Sequence, residues 1–179
     1  YGTFVDLEGS AKSEAELVTR YREMSLQAEC DSAIEDIVNE SIVMDDKAYP
    51  VELILDDVKQ PESVKKKIRE EFENILKMLD FGNKGYDLFR RWYVDGRIYH
   101  HIIIDEKSPR QGIKELRYID PRKIRKVREP IKKRDPRTGA VLYEKSNEYY
   151  LYNPKGISNN TQGIKIAVDS ISHIHSGLM

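Results

Sequence analysis

The chain has 179 residues, 39% hydrophobic and 34% charged, with 30 Lys plus Arg against 31 Asp plus Glu and a formal net charge of −1. That length suits one domain or two small ones with modest cores, and 10 Gly with 7 Pro exclude collagen-like, mucin-like and glycine–serine low-complexity classes. The longest uninterrupted apolar runs are no more than about four residues, of the order of Ile102-Ile103-Ile104, far below the ~20 residues of a membrane-spanning helix. No charged-then-apolar leader opens the chain, and the single cysteine, Cys30, fits a reducing compartment.

In chain order, residues 1–11 read as irregular. A helix is expected over 13–29, where Leu17, Tyr21, Met24 and Ala28 keep helical spacing and Ser13 with Glu16 resembles a capping box. A second helix is expected over 32–43, with Ala33, Ile34, Ile37, Val38 and Ile42 as its stripe and Ser32 with Glu35 as a second box. Asp45-Asp46-Lys47 breaks the pattern, and 51–55 alternates as a short strand. Pro61 and Glu62 open the clearest helix, since proline suits a first turn and an acid favours its positive end. Its stripe is Val64, Ile68, Phe72, Ile75, Leu76 and Leu79. A further helix is expected over 84–94 with Leu88, Phe89, Trp92 and Tyr93 inward, then an Asp95-Gly96 turn and a strand over 97–105.

The second half changes texture. Strands are expected over 116–119, 124–128, 141–152 and 164–168, punctuated by Asp120-Pro121, Asp135-Pro136, Thr138-Gly139 and Asn153-Pro154, with Arg137-Thr138-Gly139 as a hairpin tip. The fold class is therefore α+β, a helical N-terminal half followed by a β-rich, largely antiparallel half, divided at 1–96 and 97–179.

Charge is segregated. Residues 1–80 hold 10 bases and 20 acids, residues 81–179 hold 20 bases and 11 acids, and the stretch from Lys107 through Arg137 holds 13 bases and 4 acids. Halves of opposite sign attract one another within a subunit or between copies. A basic nucleic-acid-binding module on Lys107–Arg137 is the alternative reading, weakened by the scarcity of aromatics placed for base stacking.

Catalytic signals are weak. His100 and His101 are adjacent on a strand and face opposite ways. His173 and His175 share a face, the one spacing that suggests a metal-dependent hydrolase, but no third ligand follows. The pairs Asp45-Asp46 and Asp56-Asp57 read as solvated turns, no phosphate loop or dinucleotide fingerprint occurs, and Cys30 lies between Glu29 and Asp31, which disfavour a thiolate. The densest segment is 87–99, rich in aromatics and arginine. It reads either as core with salt bridges to Asp87 and Asp95, where Trp92→Ala would cost ~3–5 kcal/mol, or as a subunit interface, where Trp, Tyr and Arg are enriched.

That segment also carries a family resemblance. Phe89-Arg90-Arg91-Trp92-Tyr93-Val94-Asp95-Gly96-Arg97, Ile104-Asp105, Gly112-Ile113-Lys114-Glu115-Leu116-Arg117 and Tyr118-Ile119-Asp120-Pro121-Arg122-Lys123-Ile124 occur in order. With Tyr21-Arg22-Glu23-Met24, the 33–43 helix, Glu70-Glu71-Phe72 and Ser176-Gly177-Leu178, this set closely resembles the portal protein, or head-to-tail connector, of large contractile-tailed bacteriophages. The resemblance covers about residues 14–178.

The resemblance implies a structural virion component at the capsid portal vertex, assembled in the host cytoplasm as a homo-dodecameric ring. Such a ring nucleates head assembly, passes double-stranded DNA during packaging and ejection, and contacts the major capsid protein, the terminase large subunit and the neck or head-completion proteins. It implies no cofactor, no small-molecule substrate and no active site, ATP hydrolysis belonging to the docked terminase. This portion is implied to be the N-terminal wing, a piece of a longer polypeptide with stem, clip and crown beyond residue 179. The residues expected at a subunit or partner interface are Arg90, Arg91, Trp92, Tyr93, Arg97, Arg117, Arg122, Lys123, Arg125, Lys126 and Arg128. In a ring of like subunits one face meets a different face of the next, so the acidic N-terminal helices of one subunit are expected against the 117–137 region of its neighbour.

Overall fold

The computed structural model describes residues 11–43, 50–134, 141–157 and 163–177. Four helices come first: α1 (Ala11–Met24), α2 (Ala28–Ser41), α3 (Glu62–Met78) and α4 (Phe81–Asp95). Six strands follow: β1 (Arg97–Ile104), β2 (Ile113–Ile119), β3 (Ile124–Arg134), β4 (Val141–Tyr152), β5 (Ile164–Ala167) and β6 (Ile171–His175). The fold is α+β with helices first, as the change in periodicity indicates.

The strands form two antiparallel three-stranded sheets, ordered β2-β1-β6 and β3-β4-β5. Tyr99 on β1 stands opposite Ile119 on β2 and His173 on β6. In the other sheet Ile124 stands opposite Tyr152, and Tyr149 opposite Ala167. Tyr99, Ile119, Ile124, Tyr150 and Ile171 form one buried cluster, flanked by Tyr152, Ile166 and Val168. Because it draws on both sheets, this cluster is what joins them. Its three aliphatic members would each contribute about 1.5–3 kcal/mol from apolar burial before entropy.

The helices are arranged around that block. α4 runs into β1 through Gly96, whose φ of +70° is left-handed backbone that glycine adopts without a Cβ penalty. The carbonyl of Gly96 accepts a hydrogen bond from the Ser176 N–H at 2.9 Å, fastening the end of β6 to the same corner. α3 packs on α4 and reaches β2, α2 packs on α4, and α1 lies across α4 and the short 3₁₀ turn Pro121–Lys123 that precedes β3.

Several boundaries differ from expectation. α1 ends at Met24 and α2 begins at Ala28, so Ser32 lies inside a helix rather than capping one, and Gln27 occupies the cap position without a side-chain hydrogen bond. Ser25 instead turns its hydroxyl back onto the Arg22 carbonyl at 2.8 Å and is buried there. Residues 51–55 form no strand; of the expected face Leu55 is buried, Leu53 half-buried and Val51 exposed, so the alternation does not mark a sheet face. α4 starts at Phe81, three residues early, because Asp80 takes a left-handed conformation that turns α3 directly into α4. On α4, Leu88, Phe89 and Trp92 are partly buried, but Tyr93 is exposed, contrary to its expected inward position. β6 lies beyond the last strand expected from the sequence. The Arg137-Thr138-Gly139 hairpin tip and the Asp45-Asp46-Lys47 break lie outside the described residues.

Candidate interface around the first helix

α1 buries little apolar surface. Among its described side chains Val18 is the one buried hydrophobic, and the helix is held chiefly by charge. Near its start Glu14 accepts a bond from Arg97 at 3.1 Å, and both side chains are mostly buried. Near its end the guanidinium of Arg22 forks onto Asp95, donating from Nε at 2.8 Å and from Nη2 at 2.6 Å. Nη1 of Arg22 also donates to Asp120 Oδ2 at 3.1 Å. Such two-point pairing fixes orientation as well as position.

The carboxylates are set by their elements. Asp95 is the last residue of α4, and its side chain is only 2% exposed. Asp120 caps the 3₁₀ turn, accepting the Arg122 backbone N–H at 2.9 Å while its oxygens also take Arg122 Nε and Nη2. Burial works to raise the Asp120 carboxyl, but hydrogen bonds from Arg122 and the charge and bonds of Arg22 outweigh it, leaving the group far below the usual carboxylate range. Hydrogen bonding to Asp95 likewise raises Arg22 above its ordinary value despite burial. The guanidinium of Arg91 lies 5.1 Å from the ring centre of Tyr118, closing the side of the cluster.

The residues expected at an interface are thus dispersed, and most are engaged within the chain. Arg90 pairs with Asp31 of α2. Arg97 is buried against Glu14. Arg117 pairs with Glu115 two residues away on an exposed strand face, and Arg122 with Asp120. Lys126 and Arg128 share Glu148 across the β3–β4 ladder, Lys126 at 2.8 Å. Arg125 is partly buried on β3. Trp92 is partly buried beside Phe89, ring centres 5.5 Å apart, with its indole N–H shielded from solvent. The anticipated salt bridges inside 87–99 do not form as read locally, since Asp95 takes Arg22 and Arg90 takes Asp31 from far along the chain. Arg22, Glu14 and Asp31, none of them on the expected interface, complete the arrangement.

Two open grooves flank α1. One, of about 860 Å³, runs between α1 and the 121–123 and 155–157 turns, with Arg20, Lys123 and Lys155 facing Glu16 and Glu23. The other, of about 700 Å³, lies over the Arg22 cluster. Among the described residues no group of three or more His, Cys, Asp or Glu is placed to hold a metal ion, and no helix is long and apolar enough to cross a membrane.

His173 and His175 do share a neighbourhood, their ring centres 5.6 Å apart. His173, however, stacks on Tyr99 at 4.2 Å and meets the Tyr150 hydroxyl at 3.5 Å from Nδ1. Burial first, then the charges of Arg97, His175 and Lys126, push its imidazole down to about 4. Burial also lowers His100, which sits edge-on to Tyr118. A folded-state value below the unfolded ~6.5 means that the unfolded chain binds more protons in this window. Stability is therefore full above about pH 6.5 and falls as pH drops toward 4. The melting temperature should decline across that interval, and His173→Phe, which keeps the stack, should shrink the decline. An equally steep acid loss in that variant would place its origin elsewhere.

Ion pairs latch the helices to the sheet block, with buried Asp95 and Arg97 each fixing one element on another. The sequence comparisons identify the family. Residues 14–179 match the family described as "Bacteriophage T4-like portal protein (Gp20)", and the chain belongs to that family. It is 38% identical over 173 residues to the portal protein of Vibrio phage KVP40, covering 92% of this chain and 33% of that protein. It is 34% identical over 162 residues to the portal protein of Salmonella phage ViI, covering 89% of this chain and 29% of that protein. The chain thus spans about a third of the length of these curated relatives.

Proposed function

We propose that this chain is the N-terminal wing portion of a portal subunit, one of the repeated blocks of a dodecameric ring at a single capsid vertex. The ring nucleates head assembly, admits and releases double-stranded DNA, docks the terminase, and contacts the major capsid protein and the neck. The observation that carries this reading is the match to the portal family along nearly the whole chain. The role in this portion is architectural, with no reaction of its own. The parts 1–96 and 97–179 act as one wing block, because Glu14–Arg97 and Arg22–Asp120 bridge the boundary between them.

The nucleic-acid alternative rests on 107–137. Its support is reduced where Arg117, Arg122, Lys126 and Arg128 already have carboxylate partners in the chain. Steeply salt-dependent duplex binding by this segment would favour it instead. The direct test of the portal reading is electron microscopy of the purified full-length protein. Closed rings of uniform subunit number are expected, and a persistent monomer at micromolar concentration would overturn the reading.

A further inference from the structure

The stripe that marks α1 as a helix in the sequence does not face the core. Leu17, Tyr21 and Met24, at spacings of four and three, are 42%, 46% and 57% exposed, and Leu26 in the following turn is more exposed still. Val18 and Arg22, on the other side, make the contacts that hold α1 in place. A solvated helix normally shows polar residues outward, so a continuous outward row of Leu, Tyr and Met marks a surface awaiting cover. On α1 itself exposed Arg20 lies beside the row with Glu16 and Glu23, which share a groove with Lys123 and Lys155, so the acidic excess comes from the next helix. That helix, α2, carries five acids and no base, of which only Asp31 is paired among the described residues.

A second exposed apolar row lies elsewhere on the same chain, with the opposite charge. The N-terminal half of α3 shows Val64 and Ile68, one helical turn apart and both over a third exposed. Residues 62–69 around them hold four bases and one acid. Lys67 has no carboxylate partner among the described residues, and the pairs of Lys66 with Glu70 at 4.0 Å and Arg69 with Glu62 at 3.8 Å are long and solvated. α3 is anchored through its other half, where Leu76 is buried.

We propose that the outward face of α1, together with the acids of α2, the helix that follows it in the chain, docks on the N-terminal half of α3 of a second copy of this chain. Leu17, Tyr21 and Met24 meet Val64 and Ile68, while the acids of one copy face Lys66, Lys67 and Arg69 of the next. Each row satisfies what the other lacks, in apolar surface and in sign, and the two patches differ, so the contact is heterologous and propagates around a ring. The 117–137 region, expected to receive the acidic helices, is the less favoured acceptor because Arg117, Arg122, Lys126 and Arg128 already pair with carboxylates of their own chain. This inference rests on the ring reading above and adds to it the pair of surfaces in contact.

The test uses the full-length protein with its cysteines replaced. Copies carrying Tyr21→Cys are mixed with copies carrying Ile68→Cys, assembled, and treated with a short bismaleimide. Covalent dimers are expected from the mixture and not from either variant alone. In a separate arm, Tyr21→Glu should raise the concentration at which rings form by about tenfold or more. Rings that assemble normally while the thiol introduced at position 21 stays as reactive as in the free subunit would overturn the contact and leave the ring reading intact. Shielding of that thiol already in the free subunit would overturn it too, by assigning the stripe to another part of the same chain. Failure of the wild-type protein to form rings would remove both.

Discussion

Replacing Arg22 with methionine is expected to destabilise the protein by about 3 kcal/mol, the lower end of the ~3–5 kcal/mol seen when one partner of a buried ion pair is removed. The lower end applies because Arg22 itself is 30% exposed, so water reaches part of the site. Asp95 has no such relief. Its carboxylate is almost fully covered and takes two of the guanidinium's hydrogen bonds. It also sits in the last turn of α4, where the helix dipole disfavours an anion. Stripped of Arg22 it must either stay charged and unpaired or take up a proton. Removing both charges, in Arg22→Met with Asp95→Leu, should recover most of the loss, since an apolar replacement leaves nothing unsatisfied. The measurement is a denaturant-melt double-mutant cycle. A single mutant within about 0.5 kcal/mol of wild type would mean that Asp95 rehydrates freely and that α1 is not latched there.

What is legible in the sequence follows the range over which each signal acts. α3 is readable because Pro61 and the apolar row from Val64 to Leu79 are local, and the observed helix begins at Glu62 beside that proline. The Asp95-Gly96 turn is readable because a left-handed position calls for glycine whatever surrounds it. The capping boxes mislead for the same local reason. Ser32 and Glu35 have the right spacing, but the break between α1 and α2 is placed at 25–27, next to the point where Arg22 reaches Asp95 and Asp120.

The clamp itself cannot be derived from spacing. Arg22 meets carboxylates 73 and 98 residues away, and no local pattern marks them as partners. All three residues nevertheless fall inside the blocks that carry the family resemblance: Arg22 in Tyr21–Met24, Asp95 before Gly96-Arg97, Asp120 before Pro121. Charge counting is blind in a related way. It sums the second half as one sign and does not show that Glu115, Asp120 and Glu148 pair with Arg117, Arg122, Lys126 and Arg128 from within. The same counting does not single out α3, whose cations lie in the acidic half and vanish into its sum.

Tyr99→Ala is expected to be the more damaging single change, about 3–5 kcal/mol as for other buried aromatic truncations. Only 1% of the residue is exposed, and it is the point where the two sheets meet. Its ring stands edge-on to Tyr150, centres 6.0 Å apart, and stacks on His173. Truncation therefore removes contacts to β4 and β6 together, leaves a cavity between sheets that cannot both close over it, and exposes the His173 ring. Its hydroxyl also bonds to Arg97, so Tyr99→Phe isolates that part at about 1 kcal/mol. Trp92→Ala, the aromatic truncation the sequence singles out, should cost less than Tyr99→Ala, because the indole is only partly buried and packs against its own helix through Phe89. Unfolding midpoints for the three variants decide the order. If Trp92→Ala proves the larger loss, the centre of stability lies in the helical layer and the sheets are joined more loosely than their shared cluster implies.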